Sequence, residues 1–157
     1  MEIQILTANH ADAVKKIHEE GIATGIATFE TNSPTWEEWD RSHLPYARFV
    51  ATDDEKVLGW AALTPISSRC VYAGVAEVSV YVSSEARGKG VGKALLHKLV
   101  EESEQYKLWT LQAGIIALHE KVGFRIVGVR EKLGQYKNKW HDVVLMERRS
   151  KQLNYES

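Results

Sequence analysis

Hydrophobic and polar positions along the chain divide it into short alternating segments and longer stretches of helical spacing. Residues 2–7 alternate and predict a strand. Ala11, Val14 and Ile17 recur at helical spacing and predict an amphipathic helix to about Glu20. Gly21–Thr31, small, β-branched and glycine-containing, predicts a loop. A second helix opens at Ser33-Pro34-Thr35, with Pro34 near its first position and Thr35 and Glu38 spaced as a capping box. Residues 47–53 and 57–63 are strand-like, and Asp53-Asp54-Glu55-Lys56 joins them as a hairpin. The clearest strand is Ala76–Val82. There Ala76, Val78, Val80 and Val82 face one side, while Glu77, Ser79 and Tyr81 face the other. A helix follows Arg87–Lys89, with Val91, Ala94, Leu95, Lys98 and Leu99 at helical spacing. Residues 107–114 predict a strand, and Ile116–Val122 a short helix closed by Gly123. Residues 124–132 and 140–147 predict the last two strands.

Strands interleaved with helices imply an α/β or α+β sheet covered by helices. No repeat, low-complexity tract or linker divides the 157 residues, so one domain spanning 1–157 is expected. With 44% hydrophobic and 26% charged residues, the balance is that of a soluble globular chain. A net charge of -1 argues against nucleic acid as the main partner, since neutralising phosphates needs an excess of Lys and Arg. No apolar run is long enough to span a membrane, and the first residues lack the pattern of a signal peptide. Cys70, the only cysteine, excludes an internal disulfide and a cysteine-based metal site. These features predict a cytoplasmic protein. The six histidines show no metal-ligand spacing, and no metal is expected. The five tryptophans are expected in the core.

Chemistry concentrates where the Ala76–Val82 strand meets Arg87-Gly88-Lys89-Gly90-Val91-Gly92-Lys93. Glycines let the backbone turn, a helix begins, and the turn's N–H groups with the positive helix end make a site for a pyrophosphate. Arg87, Lys89 and Lys93 add charge. A merely solvated turn is the alternative. Gly88, Gly90 and Gly92 run G-x-G-x-G, which is not the dinucleotide fingerprint, and Ala94 follows Lys93 where a nucleotide P-loop needs Ser or Thr.

Arg87–Gly92 resembles the acyl-CoA pyrophosphate signature R/Q-x-x-G-x-G/A of the GNAT superfamily of N-acetyltransferases. Ala76–Leu96, Leu118–Arg125 and Asp142–Ser150 are similar to its phosphinothricin and methionine-sulfoximine acetyltransferase branch. The resemblance spans nearly the whole chain. It implies a mixed, mostly antiparallel sheet that splays at its middle strand, flanked by helices, with acetyl-CoA as acetyl donor. The backbone of Val80, Tyr81 and Val82 would pair with the pantetheine arm, and Gly88 to Lys93 would hold the pyrophosphate. A small-molecule amine would be the acceptor, and a homodimer is common in this branch.

Glu77 would be the general base, acting through water. A carboxylate on the less apolar face of a valine-rich strand carries a desolvation cost that makes it a stronger base; a salt-bridged surface glutamate is the bland alternative. His119 stands where many relatives place a tyrosine acid. It would protonate the departing thiolate, contact the donor, or serve structure alone. On the acceptor side the resemblance implies Phe29 and Glu30, with Arg69 and Tyr72 at the substrate's acidic group. Arg69 suits a carboxylate or phosphinate by bidentate pairing, or is simply a surface charge.

Two departures stand out. Ala73 occupies the position of a second arginine common in this branch, which weakens the case for phosphinothricin itself. Gly114-Ile115 runs almost directly into Ile116-Ala117-Leu118-His119, without the usual F-P-E-N-x-x-S loop and its CoA-contacting asparagine. Because a direct strand-to-helix join leaves almost no turn residues, an omitted loop between Ile115 and Ile116 is favoured over a true deletion, which would put acetyl-CoA affinity in doubt. Acetylation of a peptide or protein, and a non-catalytic acyl-CoA-binding module, are the competing functions.

Overall fold

The computed structural model describes residues 1–24, 32–114 and 122–153. Seven strands among these residues form one sheet: β1 (Glu2–Ile5), β2 (Phe49–Asp53), β3 (Lys56–Pro65), β4 (Val75–Val82), β5 (Thr110–Ala113), β6 (Arg125–Tyr136) and β7 (Lys139–Arg149). Their spatial order is β1-β2-β3-β4-β5-β7-β6. Every neighbouring pair is antiparallel except β4 and β5. The helices are α1 (Ala11–Thr24), α2 (Trp36–Ser42) and α3 (Val91–Gln105). This is the expected mixed, mostly antiparallel α/β sheet.

Side-chain alternation on the central strands sorts the core into two layers. Phe49, Ala51, Ala61, Leu63, Ala76 and Val78 pack on one face against Val91, Leu95, Leu96 and Leu99 of α3. Val50, Trp60 and Ala62 turn to the other face and meet Val14 and Ile17 of α1 and Trp39 of α2. Leu95, Leu96 and Leu99 are fully buried, and burial of each contributes ~1.5–3 kcal/mol. At its C-terminal end α3 is tied to β7, where Arg148 Nη1 donates to Glu104 Oε1 at 2.9 Å; Ser150 Oγ bonds the other oxygen of the same carboxylate.

Several local expectations hold. Asp54 and Glu55 both take positive φ, 47° and 68°, as a two-residue hairpin turn of the right twist requires. Thr35 is the N-cap of α2, accepting from the Glu38 amide at 3.3 Å and donating to the Glu38 carboxylate at 3.1 Å. Other expectations need correction. Helix α1 runs through Gly21 to Thr24, since Gly21 is buried and packing outweighs its weak helix propensity. Pro34 precedes the cap instead of opening the helix. Trp140 is 60% exposed on β7, outside the core. The final hairpin is longer than expected, and Ile126, Val129, Leu133 and Trp140 stand exposed on it. No helix of the described residues is long and apolar enough to cross a membrane.

Gly59 lets β3, β4 and α3 approach closely: a Cβ there would lie 2.8 Å from the Tyr81 carbonyl oxygen and 3.1 Å and 3.2 Å from Leu95 and Val91 side chains. Gly59→Ala therefore forces overpacking under the start of α3 and is expected to destabilise the fold by about 1–3 kcal/mol. Chemical denaturation of the two proteins checks this.

Candidate active site

Strand β4 has β3 along its whole length, from Pro65 opposite Ala76 to Gly59 opposite Val82. On its other edge the parallel ladder with β5 covers only Val75–Thr110, Ala76–Leu111 and Glu77–Gln112. The two strands then part. From Val78 to Val82 no strand among the described residues pairs with β4 on this edge, so the sheet splays at its middle strand as expected. Such an edge offers hydrogen-bonding groups that an extended amide-containing ligand can pair with.

Glu77 sits at the fork. It is the last β4 residue in register with β5, and Gln112 Nε2 donates to its Oε2 at 3.3 Å. The alternation of β4 puts Glu77, Ser79 and Tyr81 on one face, where they line a cleft of about 730 Å³. Glu77 is exposed in that cleft, so the dry surroundings expected for its carboxylate are absent from this open arrangement. No salt bridge engages it among the described residues.

The glycine turn leads from β4 into α3. Gly88 and Gly90 take φ of 77° and 80°, and a Cβ on either would meet nothing within 4 Å. Their requirement is conformational: positive φ is costly for a side-chain-bearing residue. Gly90 is the N-cap of α3, with no side-chain cap and no acidic residue in the first turn. The first amides of the helix are thus left to a ligand or water, and the helix dipole favours an anion there. Arg87, Lys89 and Lys93 are exposed around this turn.

The far wall of the cleft is aromatic. Trp60 of β3 stacks on Tyr81 at 4.9 Å and meets Trp39 of α2 edge-on at 5.4 Å. His18 of α1 lies edge-on to Tyr81 at 4.9 Å. His43, just after α2, stacks on Trp39 at 4.1 Å. Its Nδ1 lies 2.7 Å from the Trp39 carbonyl oxygen. A carbonyl only accepts, so Nδ1 carries the proton and Nε2 keeps its lone pair. Burial holds the His43 pKa below its ordinary value; the Trp39 bond opposes this, and the charges of Arg48 and His18 add to it. Arg48 Nε donates to Leu44 O at 2.6 Å, Nη2 donates to Asp40 O at 2.8 Å and His43 O at 3.1 Å, and Nη1 pairs with the Asp40 carboxylate.

The structure thus brings Glu77 and Tyr81 into one cleft and sets the Gly88–Lys93 turn at the end of the same strand. Arg69 caps and Tyr72 ends an exposed 3-10 turn, Cys70–Tyr72, and neither is among the residues lining the cleft. Phe29, Glu30 and His119 lie outside the described residues, as does the Ile115–Ile116 junction. Sequence reading passed over His18, Trp39, His43, Trp60 and Gln112. Trp39 and His43, four apart at the end of one short helix, carried a detectable spacing signal. Trp60 and Gln112 join the cleft only through strand order.

Residues 14–124 match the Acetyltransferase (GNAT) family. The chain is 31% identical to a phosphinothricin N-acetyltransferase of Alcaligenes faecalis, over 93% of this chain and 81% of the relative. It is 34% identical to an L-methionine sulfoximine/L-methionine sulfone acetyltransferase of Pseudomonas paraeruginosa, over 68% and 67%. Among solved structures, a GNAT superfamily phosphinothricin acetyltransferase from Sinorhizobium meliloti in complex with AcCoA superposes with a TM-score of 0.86. That match has 29% identity and covers 94% of this chain and 87% of the other.

The environment of His43 makes stability depend on pH. Above its ordinary pKa of 6.5 neither state carries the proton. Below that value the unfolded chain binds a proton that the folded chain resists, so stability falls as pH falls toward the folded pKa. Thermal melts from about pH 7.5 to 5.5 are expected to show a shallower loss for His43→Asn than for the unaltered protein. Parallel slopes would contradict it.

Proposed function

The chain belongs to the acetyltransferase (GNAT) family and is an acetyl-CoA-dependent N-acetyltransferase, and from that premise we propose that its acceptor is the primary amine of a small amino-acid-like molecule of the phosphinothricin, methionine sulfoximine or methionine sulfone type. The observation that carries the reading is Glu77, a carboxylate at the fork of β4 and β5, open to the cleft and bonded to Gln112.

The donor site fits the residues present. The edge of β4 past Glu77, which no described strand pairs, supports a role for the Val80–Val82 backbone along the pantetheine arm. The Arg87–Lys93 segment supports pyrophosphate binding: Gly88 and Gly90 hold the turn open, Val91, Gly92 and Lys93 contribute first-turn amides, and Arg87, Lys89 and Lys93 contribute charge. When bound, acetyl-CoA would supply an acetyl thioester whose C–S bond is replaced by the amide C–N bond, coenzyme A leaving as the free thiol with the proton given up by the amine.

Glu77 performs the proton step. An amine is an ammonium near neutral pH and has no lone pair to attack with. The Glu77 carboxylate accepts the proton, through a water in the open cleft, and Gln112 holds its Oε2 in place. The aromatic wall of Trp39, Trp60 and Tyr81 packs the acceptor's carbon chain against the fork. Arg69 and Tyr72, expected at the acceptor's acidic group, are not among the residues lining the cleft, so the contacts proposed for the acceptor lie on β3, β4 and α2.

Glu77→Gln keeps the shape and removes the base. Turnover in a coupled thiol-release assay is expected to drop about 100-fold or more, with the acetyl-CoA Kd nearly unchanged. Equal losses in both would sink the base assignment. A panel holding phosphinothricin, methionine sulfoximine, methionine sulfone and short peptides identifies the acceptor class; turnover on the peptides alone would favour a protein acceptor.

A further inference from the structure

An ammonium that becomes a secondary amide gives up two protons, one before its nitrogen attacks and one as the C–N bond forms. One ends on the departing thiol and the other in solution. With the cleft as the acceptor site, the reading on which this inference rests, Glu77 takes the first. The second needs an acceptor of its own, and a side chain held in place is faster than bulk water in that role. His43 lines the same cleft as Glu77. The Leu44 amide donates to the Leu63 carbonyl at 2.8 Å, which fastens the end of α2 to β3. The next β3 residue, Thr64, pairs with Glu77. The two side chains thus approach the cleft from opposite sides of β3, about 10 Å or two strand spacings apart at the backbone.

The His43 ring is oriented by its own helix. It stacks on Trp39 at 4.1 Å, with Nδ1 at 2.7 Å from the Trp39 carbonyl and 3.0 Å from Ser42 Oγ. The carbonyl fixes the proton on Nδ1, so Nε2, on the other side of the ring, offers a lone pair. Burial keeps the ring neutral near pH 7; Arg48, itself paired with Asp40, and His18 add to this, and the Trp39 bond opposes it. The other titratable groups among the described lining residues are His18, Glu38, Glu77 and Tyr81. We propose that His43 is a second proton-accepting residue of the acetyl transfer, its Nε2 taking the proton that the acceptor nitrogen releases as the C–N bond forms. The proton that Glu77 took from the ammonium passes through water to the departing sulfur, giving the thiol. The imidazolium keeps its Nδ1–H bond to the Trp39 carbonyl, now charge-assisted, and returns its Nε2 proton to water in the open cleft. An ammonium and a thioester enter; an amide, a thiol and one solvent proton leave.

The test compares the unaltered protein with His43→Asn, whose side-chain amide keeps a donor for the Trp39 carbonyl and has nothing at the Nε2 position. With methionine sulfone and saturating acetyl-CoA near pH 7.5, kcat is expected to fall about 100-fold. The acetyl-CoA Kd and the melting temperature at that pH are expected to stay nearly unchanged. Between about pH 7.5 and 5.5 the unaltered kcat falls as His43 becomes protonated, and His43→Asn loses that limb. If His43→Asn folds poorly, His43→Ala with added imidazole carries the same test: restored turnover supports the assignment and none overturns it. Turnover of His43→Asn equal to that of the unaltered protein overturns the inference and leaves the acceptor reading standing. A loss that keeps the low-pH limb overturns it too, since His43 then serves packing alone. Silence of the unaltered protein on methionine sulfone, methionine sulfoximine and phosphinothricin overturns the acceptor reading itself, and this inference with it.

Discussion

The separation of β4 from β5 after Glu77 and Gln112 is the constraint on which the rest of the site depends. Up to that point the two strands are held tightly: the Gly74 carbonyl accepts from the Trp109 amide at 2.8 Å and from Thr110 at 3.1 Å. A Cβ on Gly74 would lie 2.1 Å from the Trp109 ring, so only glycine permits that start. Past three paired residues, β5 keeps β7 as its partner through Ala113 and Met146, while β4 keeps β3. Among the described residues one strand edge is thereby left open inside the sheet, where ordinary edges lie at the rim. At that fork the Glu77 carboxylate is exposed.

Packing on the two faces of β4 divides the work. Ala76 and Val78, with Val80 and Val82, face α3 and fix where that helix begins. Gly90 and the amides after it therefore stand at a set distance from the open edge, and the small Gly59 under Val91 and Leu95 keeps the helix close. Glu77, Ser79 and Tyr81 face the cleft, against Trp60, Trp39 and His43. Helix-facing and cleft-facing side chains are thus carried by alternate residues of one strand, as the period of two dictates.

That alternation is why β4 and the helix entry after it were legible in the sequence. Valines at every second position marked β4 and separated Glu77 from the core, and the glycines and basic residues after it marked the helix entry. The acceptor side was less legible. Trp60 lies in a strand buried on both faces, where no alternation distinguishes a cleft residue from a core one. Gln112 gains meaning only through the parallel register that sets it beside Glu77. Arg69 and Tyr72 are expected at the substrate by resemblance alone; they cap and end an exposed 3-10 turn and are not among the residues lining the cleft. Helix α1 outran its expected end because burial of Gly21 against the sheet is a tertiary effect that local propensity does not register.

Amide hydrogen exchange with and without acetyl-CoA tests the central claim most directly. The account predicts that acetyl-CoA slows exchange at Val80–Val82, along the edge of β4 that β5 leaves open, and at the Gly88–Lys93 turn, with little change at the paired strands β1 and β2. Unchanged exchange at Val80–Val82 in the presence of bound acetyl-CoA, or protection centred elsewhere, would contradict it.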